Sequence, residues 1–201
     1  MRTDGNNNGY FQKVGEWRHY ESDIFDFLYE SVVVKKIKDL DLVEKQNIIP
    51  GASYFTKILS DNLFDRQLYF ERLGKIVKSY DLVFFDPDNG IAIPSVIKGR
   101  KNSSKYIYWD EMEDIWKRGL SLLVYQHFPR VNRLKYINNI FEQIKEKLKV
   151  GEIYAIKTTH MVYFLLLQDK HKINFLVLKK KITSKWDNII EVVHYSRAVM
   201  V

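Results

Sequence analysis

The sequence predicts an α/β fold: a three-layer α/β/α arrangement with a mainly parallel central sheet, in a single domain over residues 1–201. Three observations predict it. Short, continuously apolar runs occur at Asp81-Leu-Val-Phe-Phe85, Ser121-Leu-Leu-Val-Tyr-Gln126, Ile153-Tyr-Ala-Ile156 and Val162 to Leu167, as expected of strands buried on both faces. Stretches with helical spacing separate most of them, as in βαβ units. The four prolines and nine glycines are scattered, so no linker divides the chain.

Taken in order, Thr3 to Tyr10 reads as a loop, because Asn and Gly tolerate positive φ and bond their own backbone. Ser22 is placed to cap a helix with Ile24, Phe25, Leu28 and Tyr29 on one side. A second helix is expected over about 31–46, and Pro50-Gly51 turns the chain. Leu63, Leu68, Phe70, Leu73, Ile76 and Val77 give residues 63–79 a helical period before the first strand. Asp110 is expected to cap a helix over 111–118, and a helix over about 131–149 precedes the third strand. In open α/β sheets, ligands sit beyond the carboxyl ends of the strands. Here those ends carry Asp86-Pro87-Asp88-Asn89-Gly90 and His127-Phe128-Pro129-Arg130, which should therefore face one crevice.

Composition narrows the function classes. Hydrophobic residues at 46% and charged residues at 28% suit a soluble globular protein. The absence of cysteine removes disulfides, thiolate metal sites and cysteine nucleophiles. No apolar run is long enough for a membrane helix, and the polar N-terminus does not read as a signal peptide. The expectation is a cytoplasmic protein without membrane association. The net charge of +7 is unevenly spread: residues 1–96 carry 12 basic and 15 acidic side chains, residues 97–201 carry 20 and 10. A cationic half of this kind suits a polyanion, and DNA is the expected partner.

Three motifs carry the candidate chemistry. In the first, two carboxylates follow an apolar strand, Asn89 offers donor and acceptor, and Gly90 permits close approach. In the second, His127 follows a strand and is trailed by Arg130, a candidate phosphate clamp at the crevice mouth. Between them, Gly99-Arg-Lys-Asn-Ser-Ser-Lys-Tyr106 leads into Ile107-Tyr108-Trp109. Its Arg100, Lys101 and Lys105 are candidate DNA contacts, and Tyr108 is a candidate stacking partner for an extruded base. His19, His160, His171 and His194 have no metal-ligand spacing, so neither a metal nor a cofactor is expected.

Over most of its length the chain resembles a family of bacterial proteins with the patterns WRxxDPELFDFL, LPG, DLVFFDPDNG, GRKxSSKYxYWDE and SxxVYQHFPR. These stand here at Trp17 to Leu28, Ile49-Pro50-Gly51, Asp81 to Gly90, Gly99 to Glu111 and Ser121 to Arg130. Relative to that family a longer strand before Thr3-Asp4-Gly5 is missing, which leaves the closure of the sheet edge open. The resemblance itself implies no activity. A more distant likeness does. Uracil-DNA-glycosylase-like enzymes place a D-P-x-x-G motif after one strand, its aspartate near the attacking water. A later H-P-S-type motif holds a histidine near the base carbonyl. Asp86-Pro87 to Gly90 is similar to the first, and His127 to Arg130 to the second with one residue inserted. Phe85 replaces the usual Gln and Asp88 the usual aromatic. The likeness thus implies excision of a damaged or modified base, phage hypermodified bases included, with Asp86 and His127 as the metal-independent catalytic pair. Asp88, Asn89 and Gly90 would contact substrate.

Three other classes compete. A DNA methyltransferase would use a D/N-P-P-Y/W tetrapeptide, which Asp86-Pro87-Asp88-Asn89 approaches without its aromatic. A PD-(D/E)xK-like nuclease would pair Pro87-Asp88 with Lys157, although Ala155 stands where an acid is wanted. A non-catalytic DNA-binding or phage-encoded inhibitor protein would need only the charge.

Overall fold

The computed structural model describes residues 9–195, apart from Lys38 and Leu40. The loop expected at Thr3 to Tyr10 therefore lies almost wholly outside the described residues. The chain falls into two compact units, Met1–Thr56 and Lys57–Val201. The first holds short helices: α1 (Gly9–Gln12), α2 (Val14–Trp17), α3 (Ser22–Tyr29), a π turn over Glu30–Val34, and α4 (Asp41–Lys45). Phe11 packs edge-on against Phe25 and Tyr29, at ring separations of 5.7 and 5.8 Å. Two details depart from expectation. Glu21, not Ser22, occupies the cap position of α3, and the Ser22 hydroxyl turns to Asp23. The single helix expected over 31–46 is interrupted, with Lys36 at a φ of 56°; a lysine in that conformation cannot continue an α-helix.

The second unit contains the sheet. Helix α5 (Leu63–Ile76) is capped by Asn62, whose side chain accepts from the Phe64 and Asp65 amides, and a 3-10 turn at Val77–Ser79 leads into β1 (Leu82–Phe85). Then come α6 (Trp109–Lys117), β2 (Ser121–His127), α7 (Arg133–Leu148), β3 (Glu152–Lys157), β4 (Met161–Leu167), α8 (Lys172–Lys185) and β5 (Glu191–His194). Tyr108, rather than Asp110, stands at the cap of α6.

The five strands form an open sheet in the order β1-β2-β4-β3-β5. Strands β1 and β2 are parallel neighbours, but β2–β4, β3–β4 and β3–β5 are antiparallel. The class is mixed α/β, and the expectation of a mainly parallel sheet is corrected. The reason is the connection between β3 and β4. Only residues 158–160 separate Lys157 from Met161, closed by the Thr158 amide on the Met161 carbonyl at 2.9 Å. Three residues reverse a chain; a parallel crossover needs a dozen or more.

Successive residues of β4 show how the faces are used. Phe164 meets Phe141 of α7 at 5.8 Å, while Leu165 points the other way, into a cluster with Tyr154, Leu167 and Phe175 of α8. Thus α7 and α8 lie on opposite faces. The α7 face is closed: Leu122, Val124, Val162, Phe164, Ile137 and Ile144 are fully buried. On the α8 face, Leu82 and Phe84 of β1 remain 44% and 50% exposed. At the amino ends of β1 and β2, His171 bridges the Ser121 hydroxyl at 2.7 Å and Asp81 at 3.0 Å. Ser121 is 1% exposed, so this Ser-His-Asp arrangement is a clasp rather than an accessible nucleophile.

The most demanding feature is Arg66, 1% exposed in the first turns of α5. Its guanidinium donates to both Glu111 oxygens, at 2.5 and 2.8 Å, to the Ser103 carbonyl at 3.1 Å and to the Tyr106 carbonyl at 2.7 Å. Removing one member of a buried pair strands the other charge, at a cost of about 3–5 kcal/mol. Glu111→Ala should therefore lower unfolding stability by that order in chemical denaturation. The double variant Arg66→Met, Glu111→Met should recover most of the loss. A Glu111→Ala protein as stable as wild type would show that the pair does not hold the unit together.

Candidate functional site

The site is built from the ends of β1 and β2 and from the loop that joins β1 to α6. β1 ends at Phe85 because Pro87 cannot donate to a ladder. The chain then turns tightly, with the Gly90 amide on the Pro87 carbonyl at 3.2 Å and Gly90 at a φ of 87°. Gly90 is required there twice over. Its φ is unfavourable for other residues, and an added Cβ would lie 2.2 Å from Gln126 Oε1. Gln126 is itself buried; it accepts from the Ile91 amide at 2.8 Å and donates to the His127 carbonyl at 2.9 Å. The turn after β1 is thereby fastened to the end of β2.

It is fastened equally to the loop over residues 99–108. The Asn89 amide donates to Lys105 O at 2.9 Å, Ile107 N to Gly90 O at 3.1 Å, and Ala92 N to Ile107 O at 2.8 Å. That loop is held from beneath by Arg66 and from the side by Asp61. Asp61 accepts from the Ser104 amide at 2.6 Å, the Asn102 amide at 2.8 Å and the Ser103 hydroxyl at 3.2 Å. These bonds, the Ser104 amide foremost, lower its carboxyl to about 2. The turn after β1 is thus joined backbone to backbone to that loop, and through the Gln126 side chain to the end of β2.

Asp86 and His127 lie on the same face. The register pairs Phe85 with Val124, and its continuation sets Asp86 level with Tyr125, two residues before His127. The Tyr125 hydroxyl lies 3.4 Å from His127 Nδ1. Beside them on β4, the Tyr163 ring stands 5.6 Å from Tyr125 and 6.0 Å from Phe84. The result is a shelf of three rings on adjacent strands with a carboxyl and an imidazole at its end. Asp86 is exposed at its edge; the partial desolvation it does undergo, and secondarily the Asp88 charge, raise its carboxyl above the ordinary carboxylate value. Burial, then the charge of Asp86, raises both the Tyr125 and Tyr163 phenols. Such a carboxyl is poised to take a proton.

His127 also lines an open depression of about 470 Å³ together with Arg130, Asn132, Arg133 and His160. Arg133 lies 5.4 Å over the Phe128 ring, and neither arginine forms an ion pair among the described residues. Arg130 thus lines the same depression as His127, and the Asp86-to-Gly90 turn is not part of its lining. Sequence reasoning missed Arg133 and His160, which lie on α7 and on the β3–β4 connection.

The other expected residues are placed differently. Asp88 and Asn89 are exposed at the tip of the turn, while Gly90 is buried behind Gln126. Tyr108 is wedged between Arg66 and Lys98, each 4.8 Å from its ring centre, and its hydroxyl is buried without a partner. That ring is partly buried and in contact with the cations that support the loop. Arg100 and Lys101 are exposed and line a smaller depression with Tyr106; Lys105 is half-buried. Lys157 pairs with Glu191 and stands three strand spacings from β1, roughly 14 Å at the usual spacing. A nuclease site linking it to Asp88 is not assembled. Among the described residues no helix is long and apolar enough to cross a membrane. Comparison with protein-family models, curated proteins and solved structures gives no match to this chain.

Two titrations test this geometry. The raised Asp86 carboxyl favours the folded state only while protonated, so its contribution is full at low pH and is lost as pH rises through its folded value. Asp86→Asn should melt above wild type at neutral pH, with the gap closing as pH falls through the ordinary carboxylate range. A constant gap, or none, would remove the desolvated carboxyl. Asp61 has the opposite sign: its contribution is present above the ordinary carboxylate value and is lost as pH falls through about 2. The Asn102 and Ser104 amides should remain protected from hydrogen exchange at pH 3 in wild type, and be unprotected at neutral pH in Asp61→Ala.

Proposed function

We propose that this chain is a DNA glycosylase, hydrolysing the N-glycosidic bond of a damaged or modified base turned out of the stack. One observation carries the reading: Asp86 and His127 share one face at the ends of two parallel neighbouring strands, beside the exposed Phe84 ring and the partly buried Tyr125 and Tyr163 rings. Cleavage of such a bond passes through a sugar with oxocarbenium character. Asp86 as carboxylate offsets that charge and orients a water. The water oxygen bonds to the anomeric carbon as the carbon–nitrogen bond breaks, and its electron pair leaves with the base. The water proton passes to Asp86, whose raised affinity for protons suits it to the task. A donor nitrogen of His127 stabilises the departing base and supplies its proton. The rings of Phe84 and Tyr163 hold the base by stacking, since extrusion must be compensated by contacts outside the helix. Arg130 and the exposed Arg100 and Lys101 hold phosphates.

A base methyltransferase is the second reading, and one observation favours it. The aromatic that Asp86-Pro87-Asp88-Asn89 lacks at its own end is supplied across the sheet by Phe84, Tyr125 and Tyr163. A nucleobase on that shelf could meet the tetrapeptide directly.

The test is release of free base and formation of alkali-labile sites from DNA containing modified bases. The expected reaction proceeds in EDTA. Asp86→Asn should lower it by orders of magnitude with folding and DNA binding retained, and His127→Ala should cost about ten- to a thousandfold. Excision unchanged in Asp86→Asn, Asp88→Asn would place the chemistry elsewhere. Transfer of a labelled methyl group from S-adenosylmethionine, without base release, would establish the second reading.

A further inference from the structure

We infer that the nucleic acid bound here is single-stranded, laid across the open sheet face with bases on Phe84, Tyr163 and Tyr125 and a phosphate in the His127–Arg130–Arg133–His160 depression. The inference rests on the proposed reading that the ligand is a nucleic acid, and adds to it the state of the strand.

The form of the surface argues for it. The three rings belong to β1, β4 and β2 and lie on one face, 5.6 and 6.0 Å from ring to ring across the Tyr163 centre. Phe84 is half exposed, with Leu82, 44% exposed, behind it on the same strand. The rings are inclined to one another by 50° and 66°, with Phe84 exposed and the two tyrosines partly buried, so a ligand meets separate ring surfaces and not one plane. Paired bases in a duplex keep their own faces occupied and offer only edges in the grooves. Unpaired bases have free faces, and aromatic side chains across a sheet are a recurrent way of binding them. Nothing in this region resembles a groove-filling helix: α8, the helix on this face, packs against Tyr154 and Leu165 towards β3.

The cations continue the track. Tyr125 touches His127, and His127 lines the depression with Arg130, Arg133 and His160. A strand whose bases run from Phe84 through Tyr163 to Tyr125 therefore meets cationic side chains where it leaves the shelf. No carboxylate lines that depression, so a phosphate entering it meets no repulsion at close range. Asp86, by contrast, lies on the shelf side, beside the rings that would hold the base and sugar.

The experiment is fluorescence anisotropy of the full chain with three labelled probes of one sequence: a 12-nucleotide DNA strand, its RNA counterpart and the 12-base-pair DNA duplex. A single strand should bind at least tenfold more tightly than the duplex. Log affinity should fall with log salt at about −0.7 per neutralised phosphate. Arg130→Ala together with Arg133→Ala should flatten that slope by about 0.7, the loss of the one phosphate held in the depression. Phe84→Ala, a half-exposed position whose folding is checked by melting, should weaken single-strand binding about tenfold or more and leave the salt slope unchanged. Tighter binding of the DNA or of the RNA strand identifies the sugar, and either supports the inference. Duplex binding as tight as single-strand binding, with Phe84→Ala indistinguishable from wild type, overturns it while base excision from duplex DNA stands. Failure to bind all three probes at low salt overturns both.

Discussion

Burial of a guanidinium obliges its surroundings to supply acceptors, and in this chain that obligation organises the site. Arg66 has no access to water and directs its N–H groups to the Glu111 carboxylate and to the carbonyls of Ser103 and Tyr106. Leaving any of those donors unmet in a low-dielectric interior would be expensive. The loop must therefore arrive with its carbonyls inward, and Glu111 must arrive on the first turn of α6. Glu111 in turn accepts from the Tyr108 amide at 2.9 Å and lies 3.2 Å from Lys98. The loop so formed presents Lys105 O and Ile107 N to the turn after β1. The position of Asp86 is thus inherited from an ion pair it never touches, through backbone bonds at Asn89, Gly90 and Ala92.

The open face makes the opposite bargain. Phe84 and Leu82 stay in contact with water although burial would favour folding, and Asp86 sits where ionisation is disfavoured. Both features lower the stability of the chain. On the closed face the same sheet does otherwise: Phe141 and Phe164 interlock with neither exposed.

Much of this was legible before any coordinates. Apolar runs located four strands to within a residue or two, and the polar residues following the first two marked the sheet end that carries Asp86 and His127. The direction of β4 was not read from the apolar runs, because their composition is the same whichever way a strand points. The length of the gap between Lys157 and Met161 held that information. β5 escaped notice because Glu191 to His194 is four residues long and only half-buried, and α8 because its apolar residues do not gather on one side. Composition alone does not decide the role of Tyr108: aromatic beside cation describes a stacking loop and a cation–π contact equally well. Arg66 and Asp61 lie about forty residues from the loop they hold. A signal for Arg66 did exist. It falls four residues before Phe70 and seven before Leu73, on the apolar side of α5, where an arginine has to be answered by a partner.

The short reversal between β3 and β4 has a consequence for how this architecture could diversify. Because β4 runs backwards, its first residue lies beside the last residue of β2, with Met161 paired to His127. The hairpin tip, Thr158 to His160, consequently stands at the rim of the shelf, not at the far end of the sheet. Tips of this kind accept added residues with little thermodynamic penalty. Extra length there would raise a wall beside Tyr163 and narrow the entrance, with Arg66, Gln126 and the turn after β1 left undisturbed. Ligand choice and structural support are thereby carried by separate stretches of chain, and one can vary while the other is kept.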